Sequence, residues 1–154
     1  MSAVGPYIAV VGPGEASPDE LEAAEAVGRA LGEAGATVLT GGLGGVMAAA
    51  CDGAAAAGAT TVGLLPGLDR HAANESVAVA IATGLGELRN GLIVRAADAL
   101  IAVGGAYGTL SEVALALKAG VPVIGLGTWQ IEGVIQAGEP AEAVKRALAI
   151  AGGP

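Results

Sequence analysis

The feature that most constrains the fold is a glycine-rich turn between a strand-like run and a helix-like run. The turn covers residues 104–109, after the apolar run Ala99–Val103 and before a helical pattern that extends to Ala119. A glycine turn that opens a helix presents backbone N–H groups at the positive end of the helix dipole, where phosphate commonly binds. The sequence therefore predicts an anion site at this turn, and a phosphorylated ligand is the leading hypothesis.

Strand-like and helix-like runs alternate along the whole chain. Apolar strand-like runs cover residues 7–11, 37–40, 60–65, 77–81, 99–103 and 122–126. Helical periodicity covers residues 18–34, a run from the turn at 41–45 to about residue 58, and residues 87–96, 109–119 and 139–151. This alternation predicts an α/β fold, in which residues 1–154 form one domain. We expect a doubly wound parallel sheet of about six to seven strands with helices on both faces.

Glycine turns follow several of the predicted strands. Because the carboxyl ends of parallel strands form one edge of the sheet, where ligands bind, these turns are candidates for phosphate binding. The candidate phosphate-binding residues are Gly12, Gly14, Gly41, Gly42, Gly44, Gly45, Gly105, Tyr107, Gly108 and Thr109. A structural interpretation of the last turn stays open, in which Thr109 caps the helix and Glu112 completes a capping box.

Two common nucleotide-binding motifs do not match. The turn at residues 12–17 begins as a dinucleotide fingerprint, but Ser17 replaces its third glycine and Thr40–Gly41 stands where an acidic residue would bind ribose. A P-loop needs a lysine after its glycines, and the first lysine of this chain is Lys118. The sequence therefore argues against NAD, FAD and a P-loop nucleotide, and no resident cofactor is expected.

Charge and composition exclude several classes of partner. The net charge is −8, with 7 Lys and Arg residues against 15 Asp and Glu residues, so we do not expect nucleic acid as a partner. No run predicts a membrane span, and no Cys/His cluster predicts a metal site. Cys51, the only cysteine, is interpreted as a buried structural thiol. Because the N-terminus also lacks a basic leader, we expect a cytoplasmic protein.

A few polar and aromatic residues receive structural interpretations. Trp129 is interpreted as an edge or interface residue rather than a stacking platform, and Arg95 as a cation near a helix C-terminus. Asp98 is expected to begin the strand at 99–103 or to cap the turn before it. His71 lies in a polar loop and is interpreted as a loop residue rather than a catalytic base.

Several segments of the chain resemble the lonely-guy (LOG) family, once mislabelled as lysine decarboxylases. The similar segments are Thr40–Met47, Leu64–Gly67, Leu88–Asn90 and, within the turn and the helix after it, Gly105, Tyr107–Thr109 and Glu112. The resemblance implies a Rossmann-like fold and a homodimer or homotetramer. It also implies hydrolysis of the N-glycosidic bond of nucleoside 5′-monophosphates, with Arg89 and Glu112 as the catalytic residues.

Three residues depart from that pattern, namely Asn90, Gly104 and Ala106. They are more similar to the DprA-related branch of the superfamily, which includes molybdenum cofactor carrier proteins and implies binding of a phosphorylated pterin. Two functions therefore stay open: a nucleoside 5′-monophosphate phosphoribohydrolase, ranked first, and a non-catalytic carrier of molybdenum cofactor or another phosphorylated ligand. On the residues alone, Arg89 fits a solvated helix surface as well as a ligand contact.

Overall fold

A computed structural model describes residues 4–152 of the chain. Within these residues, seven β-strands alternate with five α-helices. The strands are β1 Tyr7–Val11, β2 Thr37–Thr40, β3 Thr61–Leu65, β4 Val79–Ala82, β5 Ala99–Val103, β6 Val123–Leu126 and β7 Ile135–Gln136. The helices are α1 Pro18–Glu33, α2 Val46–Ala56, α3 Arg89–Ala96, α4 Tyr107–Ala119 and α5 Pro140–Ala151, with short 3-10 turns at Arg70–Ala72 and Gly86–Leu88.

All seven strands form one parallel sheet in the order β4-β3-β2-β1-β5-β6-β7. The chain builds outward from β1 in one direction through β4, and then returns to the other side of β1 with β5. The strand order therefore reverses between β1 and β5. In sheets of this type, the loops that leave the two strands at the reversal diverge and open a crevice at their carboxyl ends.

Two apolar cores lie on opposite faces of the sheet. Alternate residues of β1 divide between them: Ile8 and Val10 pack on one face, and Ala9 and Val11 on the other. The first core is completed by α1, α2 and α5, and the second by α3 and α4. Both cores consist of Ala, Val, Leu and Ile, because the chain has no phenylalanine.

Helices α1 and α2 approach closely because each presents a glycine to the other. A Cβ atom at Gly28 would overlap the carbonyl oxygen of Ala50, and a Cβ atom at Gly53 would overlap that of Glu25. The N-terminus of α1 is the expected capping box: the Ser17 hydroxyl accepts from the Glu20 N–H, and the Glu20 carboxylate accepts from the Ser17 N–H.

Three local expectations differ from the structure. The edge strand begins at Val79 rather than at residue 77, because the Thr61 hydroxyl donates to Ser76 O at 2.6 Å and accepts from Ala78 N at 2.8 Å. These side-chain bonds hold the preceding segment outside the sheet ladder. The predicted count of six to seven strands is confirmed, but the position of the seventh strand, β7, was not predicted, since two residues carry no alternating pattern.

The start of α4 also differs, and this difference concerns the candidate site. The helix begins at Tyr107, with Ala106 as its N-cap and no capping side chain. Thr109 therefore lies inside the first turn, and the structural alternative that the sequence left open, a Thr109–Glu112 capping box, is wrong. The hydroxyl of Thr109 therefore does not cap α4.

Candidate functional site

A cavity of about 220 Å³ lies at the carboxyl edge of the sheet, where the strand order reverses. The loops after β1, β2 and β5 form its walls together with the first turns of α3 and α4. Of the residues singled out from the sequence, those that line this cavity are Gly12, Gly14, Gly41, Arg89, Gly108, Thr109 and Glu112. The fold thus brings the two predicted catalytic residues and much of the predicted phosphate loop into one space.

The remaining candidate residues lie outside the cavity lining, namely Gly42, Gly44, Gly45, Gly105 and Tyr107. The Gly42 N–H donates to the Thr40 hydroxyl at 3.0 Å, and its carbonyl accepts from Asn74, so its polar groups are already used. Gly45 has a φ of 63° and lies against the carbonyl oxygen of Pro13, so its role is to let the loop after β2 pack closely on the loop after β1. The second glycine turn therefore reaches the cavity through Gly41.

The N-terminus of α4 presents polar groups to the cavity. Its first intrahelical bond runs from Leu110 N to Ala106 O, at 2.9 Å, so the preceding N–H groups have no carbonyl partner in the helix. Gly108 and Thr109 carry two of these groups and line the cavity. The Thr109 side chain is only 1% exposed, and its hydroxyl has no hydrogen-bond partner among residues 4–152. A buried hydroxyl without a partner is costly. The Thr128 hydroxyl is also buried without a partner, but only Thr109 belongs to the cavity lining, where a bound ligand would supply the partner.

Arg89 is held at the cavity by backbone carbonyls of neighbouring strand ends. Its Nε donates to Leu64 O at 2.8 Å, and its Nη2 lies 3.4 Å from Gly41 O. Its Nη1 donates to Asn90 Oδ1. Burial lowers the pKa of the guanidinium, and the nearby Glu112 carboxylate partly offsets that effect. The guanidinium is therefore preorganised, with donors left over for an anion.

Glu112 faces the same cavity from the second turn of α4. Its side chain is 7% exposed, and burial raises the pKa of the carboxyl from 4.5 to about 7, although the charge of Arg89 acts in the opposite direction. Within residues 4–152 it forms no ion pair with Arg89. The site therefore contains a carboxyl group that exchanges a proton near neutral pH.

Asn90 is a site residue that the sequence pattern alone did not identify. It lines the cavity, is buried, and donates from Nδ2 to Ser111 Oγ at 3.1 Å while its Oδ1 accepts from Arg89. The signal available in the sequence was its position next to Arg89, where the chain departs from the LOG motif. The amide orients Arg89, a role that a basic residue at this position could not fill.

The residues with structural interpretations lie away from the cavity lining. Cys51 is fully buried, as predicted, and lies 3.5 Å from the Thr40 hydroxyl. His71 is exposed and contacts Asp69 in the turn that follows β3. Asp98 accepts a hydrogen bond from Tyr7 N at 2.8 Å and so joins the starts of β1 and β5. None of these contacts gives His71 or Cys51 access to the cavity.

The sheet and its crevice define a Rossmann-like α/β protein, as the sequence predicted. Residues 5–150 match the model of the SLOG cluster4 family, and the chain belongs to that family. The match extends over nearly the whole chain and confirms the superfamily that the glycine motifs indicated. No helix among residues 4–152 combines the length and apolar character that crossing a bilayer requires.

Similar proteins include two whose structures are solved. The molybdenum cofactor binding protein from Rippkaea orientalis has a TM-score of 0.92 and 39% identity, over 97% of this chain and 99% of that one. The Moco carrier protein from Chlamydomonas reinhardtii has a TM-score of 0.87 and 37% identity, over 95% and 97% of the two chains. An uncharacterized protein of Archaeoglobus fulgidus is 44% identical over 119 residues, 77% of this chain and 78% of that protein.

Proposed function

We propose that this chain binds molybdenum cofactor, a phosphorylated pterin, and carries it as cargo without changing it chemically. The observation that carries the proposal is the buried Thr109 hydroxyl, which has no partner among the described residues and lies beside the open N-terminus of α4. The choice of molybdenum cofactor as the ligand is supported by the two solved proteins named above, which are similar to this chain over nearly their whole length.

The ligand phosphate would lie at the first turn of α4. The N–H groups of Gly108 and Thr109 and the Thr109 hydroxyl would donate to its oxygens, and the helix dipole favours its negative charge. Arg89, the one cationic side chain among the residues that line the cavity, would add a charge-assisted contact. In a chain of net charge −8, a localised positive site of this kind is what makes binding of an anion possible.

Cofactor binding is tested directly with molybdenum cofactor released from a purified molybdoenzyme under anaerobic conditions. After gel filtration, molybdenum measured by mass spectrometry and pterin measured by fluorescence should both elute with the protein, in equal amounts. Thr109→Val should reduce both signals together. Thr128→Val is the matched control, since its hydroxyl is also buried without a partner but lies outside the cavity lining. Wild-type protein that retains neither signal contradicts the proposal.

A second candidate function is hydrolysis of nucleoside 5′-monophosphates. The observation in its favour is that Arg89 and Glu112 line the same cavity. In this reaction the C1′–N bond breaks, water supplies the hydroxyl that bonds to C1′, and the base leaves with the proton. Ionised Glu112 would stabilise the oxocarbenium-like transition state, while Arg89 would hold the phosphate or polarise the leaving base.

The hydrolase is separated from the carrier by release of free base from a panel of nucleoside monophosphates. If Glu112 acts in the transition state, Glu112→Gln should lower kcat by at least about 100-fold while nucleotide binding changes less. Undiminished turnover in this variant excludes the catalytic role. Absence of turnover in both proteins, with ligand binding retained, favours the carrier, which is also the function that the similar solved proteins support.

We also propose that the protein is a cytoplasmic homodimer or homotetramer. Exposed apolar side chains on the α3 and α4 side of the sheet support the assembly, notably Leu88, Leu92 and Leu115. A single buried cysteine is compatible with a reducing compartment.

A further inference from the structure

Two of the few aromatic residues of this chain lie together at the rim of the cavity. The chain has one tryptophan, two tyrosines and no phenylalanine. The rings of Tyr107 and Trp129 are stacked, with centroids 6.3 Å apart and planes inclined at 26°. The placement is selective, because an aromatic pair occurs beside the glycine turn in a protein whose cores contain almost none.

Trp129 is anchored to the loop that opens α4. Its Nε1 donates to Ala106 O at 3.1 Å, and the indole lies so close to Gly105 that a Cβ atom there would be 3.2 Å from Nε1. Tyr107 is the first residue of α4, between Ala106 and Gly108, which both line the cavity. The pair is therefore attached to the same turn that presents the N–H groups, and it borders the site.

Folding does not account for the position of Tyr107. Its side chain is 85% exposed and Trp129 is 36% exposed, so the tyrosine ring contributes little to either core. An exposed aromatic face next to an anion site has the properties of a stacking platform. Planar heterocycles stack on aromatic side chains through their π faces, with little dependence on their substituents.

We propose that Tyr107 and Trp129 form an aromatic ledge on which the planar heterocycle of the ligand stacks, while its phosphate lies at the N-terminus of α4. The inference rests on the proposed phosphate site and extends it from the phosphate to the ring. It replaces the interpretation of Trp129 as an edge or interface residue. It also gives Tyr107 and Gly105, which do not line the cavity, a role in ligand recognition.

Two probes separate the ring from the phosphate: guanosine 5′-monophosphate, whose guanine shares the aminopyrimidinone ring of pterins, and ribose 5-phosphate, which lacks a base. Calorimetric titration should give the nucleotide an affinity at least about 10-fold higher than that of ribose 5-phosphate. Tyr107→Ala should remove this preference without changing ribose 5-phosphate affinity, and Tyr107→Phe should keep it. Since Trp129 is the only tryptophan, its fluorescence should respond to the nucleotide and not to ribose 5-phosphate.

The outcomes distinguish the ledge from the phosphate site. Equal affinities for the two probes in the wild type overturn the ledge and leave the phosphate site intact. Parallel losses of both affinities in Tyr107→Ala also overturn the ledge, because they indicate damage to the turn. Binding of neither probe overturns the phosphate site and the ledge with it. A further outcome is Trp129 emission that depends on protein concentration and not on the nucleotide. That result would assign the pair to an interface between copies of the chain and would also overturn the ledge.

Discussion

Asn90 and Ser111 join the two helices that carry Arg89 and Glu112. The Asn90 Nδ2 donates to Ser111 Oγ at 3.1 Å, and Ser111 Oγ donates to Gly108 O at 2.7 Å. Arg89 donates to the other end of the same amide. A chain of neutral polar groups thus connects the first turn of α3 to the first turn of α4. These bonds, rather than a direct ion pair, set the two cavity-facing side chains relative to each other.

Loss of this connection should weaken anion binding. Asn90→Ala removes an acceptor from Arg89 and also removes the hydrogen bond between α3 and Ser111 of α4. We therefore expect the affinity for inorganic phosphate to fall by about 3- to 10-fold. Ser111→Ala is the control, since it breaks only the link to α4 and leaves the Arg89 contact in place, and it should cost less. Isothermal titration calorimetry measures both. Equal losses in the two variants, or no loss in Asn90→Ala, would contradict the orienting role.

Thr109→Val should increase the stability of the protein and at the same time weaken phosphate binding. Removing a buried hydroxyl that has no protein partner should raise the free energy of unfolding by about 1 kcal/mol, since valine has nearly the same shape. The same change should lower phosphate affinity by at least about 10-fold, because a hydrogen bond to a charged group is lost. Urea denaturation and calorimetry give the two quantities.

Thr128→Val serves as the comparison for that variant. It should give a similar gain in stability with unchanged phosphate affinity, because Thr128 is buried without a partner outside the cavity lining. If Thr109→Val is destabilising, the hydroxyl has a structural partner after all, and its assignment to the ligand is wrong.

The contact between α1 and α2 should tolerate no side chain at its glycines. Gly28→Ala would place a methyl group on the carbonyl oxygen of Ala50, so we expect a loss of about 2–3 kcal/mol in the free energy of unfolding. Gly91→Ala is the control, because Gly91 is also helical but has open space around it, and alanine should stabilise it by up to about 1 kcal/mol. Thermal and urea denaturation compare the two. Similar effects at both positions would show that helix propensity, and not close packing, decides the outcome.

The fold could be predicted from sequence because its signals are local. The glycine turns after β1, β2 and β5 directly follow buried apolar runs, and the Ser17–Glu20 capping box marks the start of α1 within four residues. The order of the strands in the sheet was not predicted, because it depends on contacts between segments that are far apart in the chain. The predicted bounds were wrong where they depend on contacts with other segments. The start of β4 is an example, because the Thr61 hydroxyl bonds to the residues just before it.

Many of the residues that line the candidate site could be named from the sequence, but their burial and their charge states could not. The resemblance to the LOG family implied Arg89 and Glu112, and the glycine turn before α4 indicated Thr109. The burial of Glu112 and the missing partner of Thr109 depend on where α4 begins. That start is set by Ala106, whose carbonyl accepts from Trp129 23 residues later in the chain. A long-range bond of this kind leaves no periodic signal in the sequence.

Self-association is expected through the apolar side chains on the α3 side. Light scattering at micromolar concentration should give at least twice the chain mass of 14.6 kDa. Replacing Leu88 and Leu92 together by glutamate should shift the mass toward the monomer, because burying charges in an apolar interface is unfavourable. Ile150→Glu, an exposed site on α5 in the other helix layer, should leave the mass unchanged. A wild-type monomer would contradict the assembly.

The pKa of Glu112 predicts how stability depends on pH. Burial raises this pKa to about 7 in the folded protein, from 4.5 ordinarily. Below pH 4.5 the group is protonated in both states and imposes no penalty. As pH rises from 4.5 to 7, the unfolded chain loses this proton first, so the folded state binds more protons and the free energy of unfolding falls. The loss is complete above pH 7 and amounts to about 3 kcal/mol.

Glu112→Gln isolates that contribution because glutamine stays neutral at every pH. The difference in unfolding free energy between the variant and the wild type should therefore grow from pH 5 to pH 8 by about 2–3 kcal/mol, in favour of glutamine. Urea denaturation at several pH values measures the difference, which cancels the titration of all other groups. A difference that stays constant over this range means that the carboxyl ionises normally and is solvated. A difference that shrinks with pH means that Arg89 stabilises the carboxylate more than burial opposes it, which reverses the balance inferred from the structure.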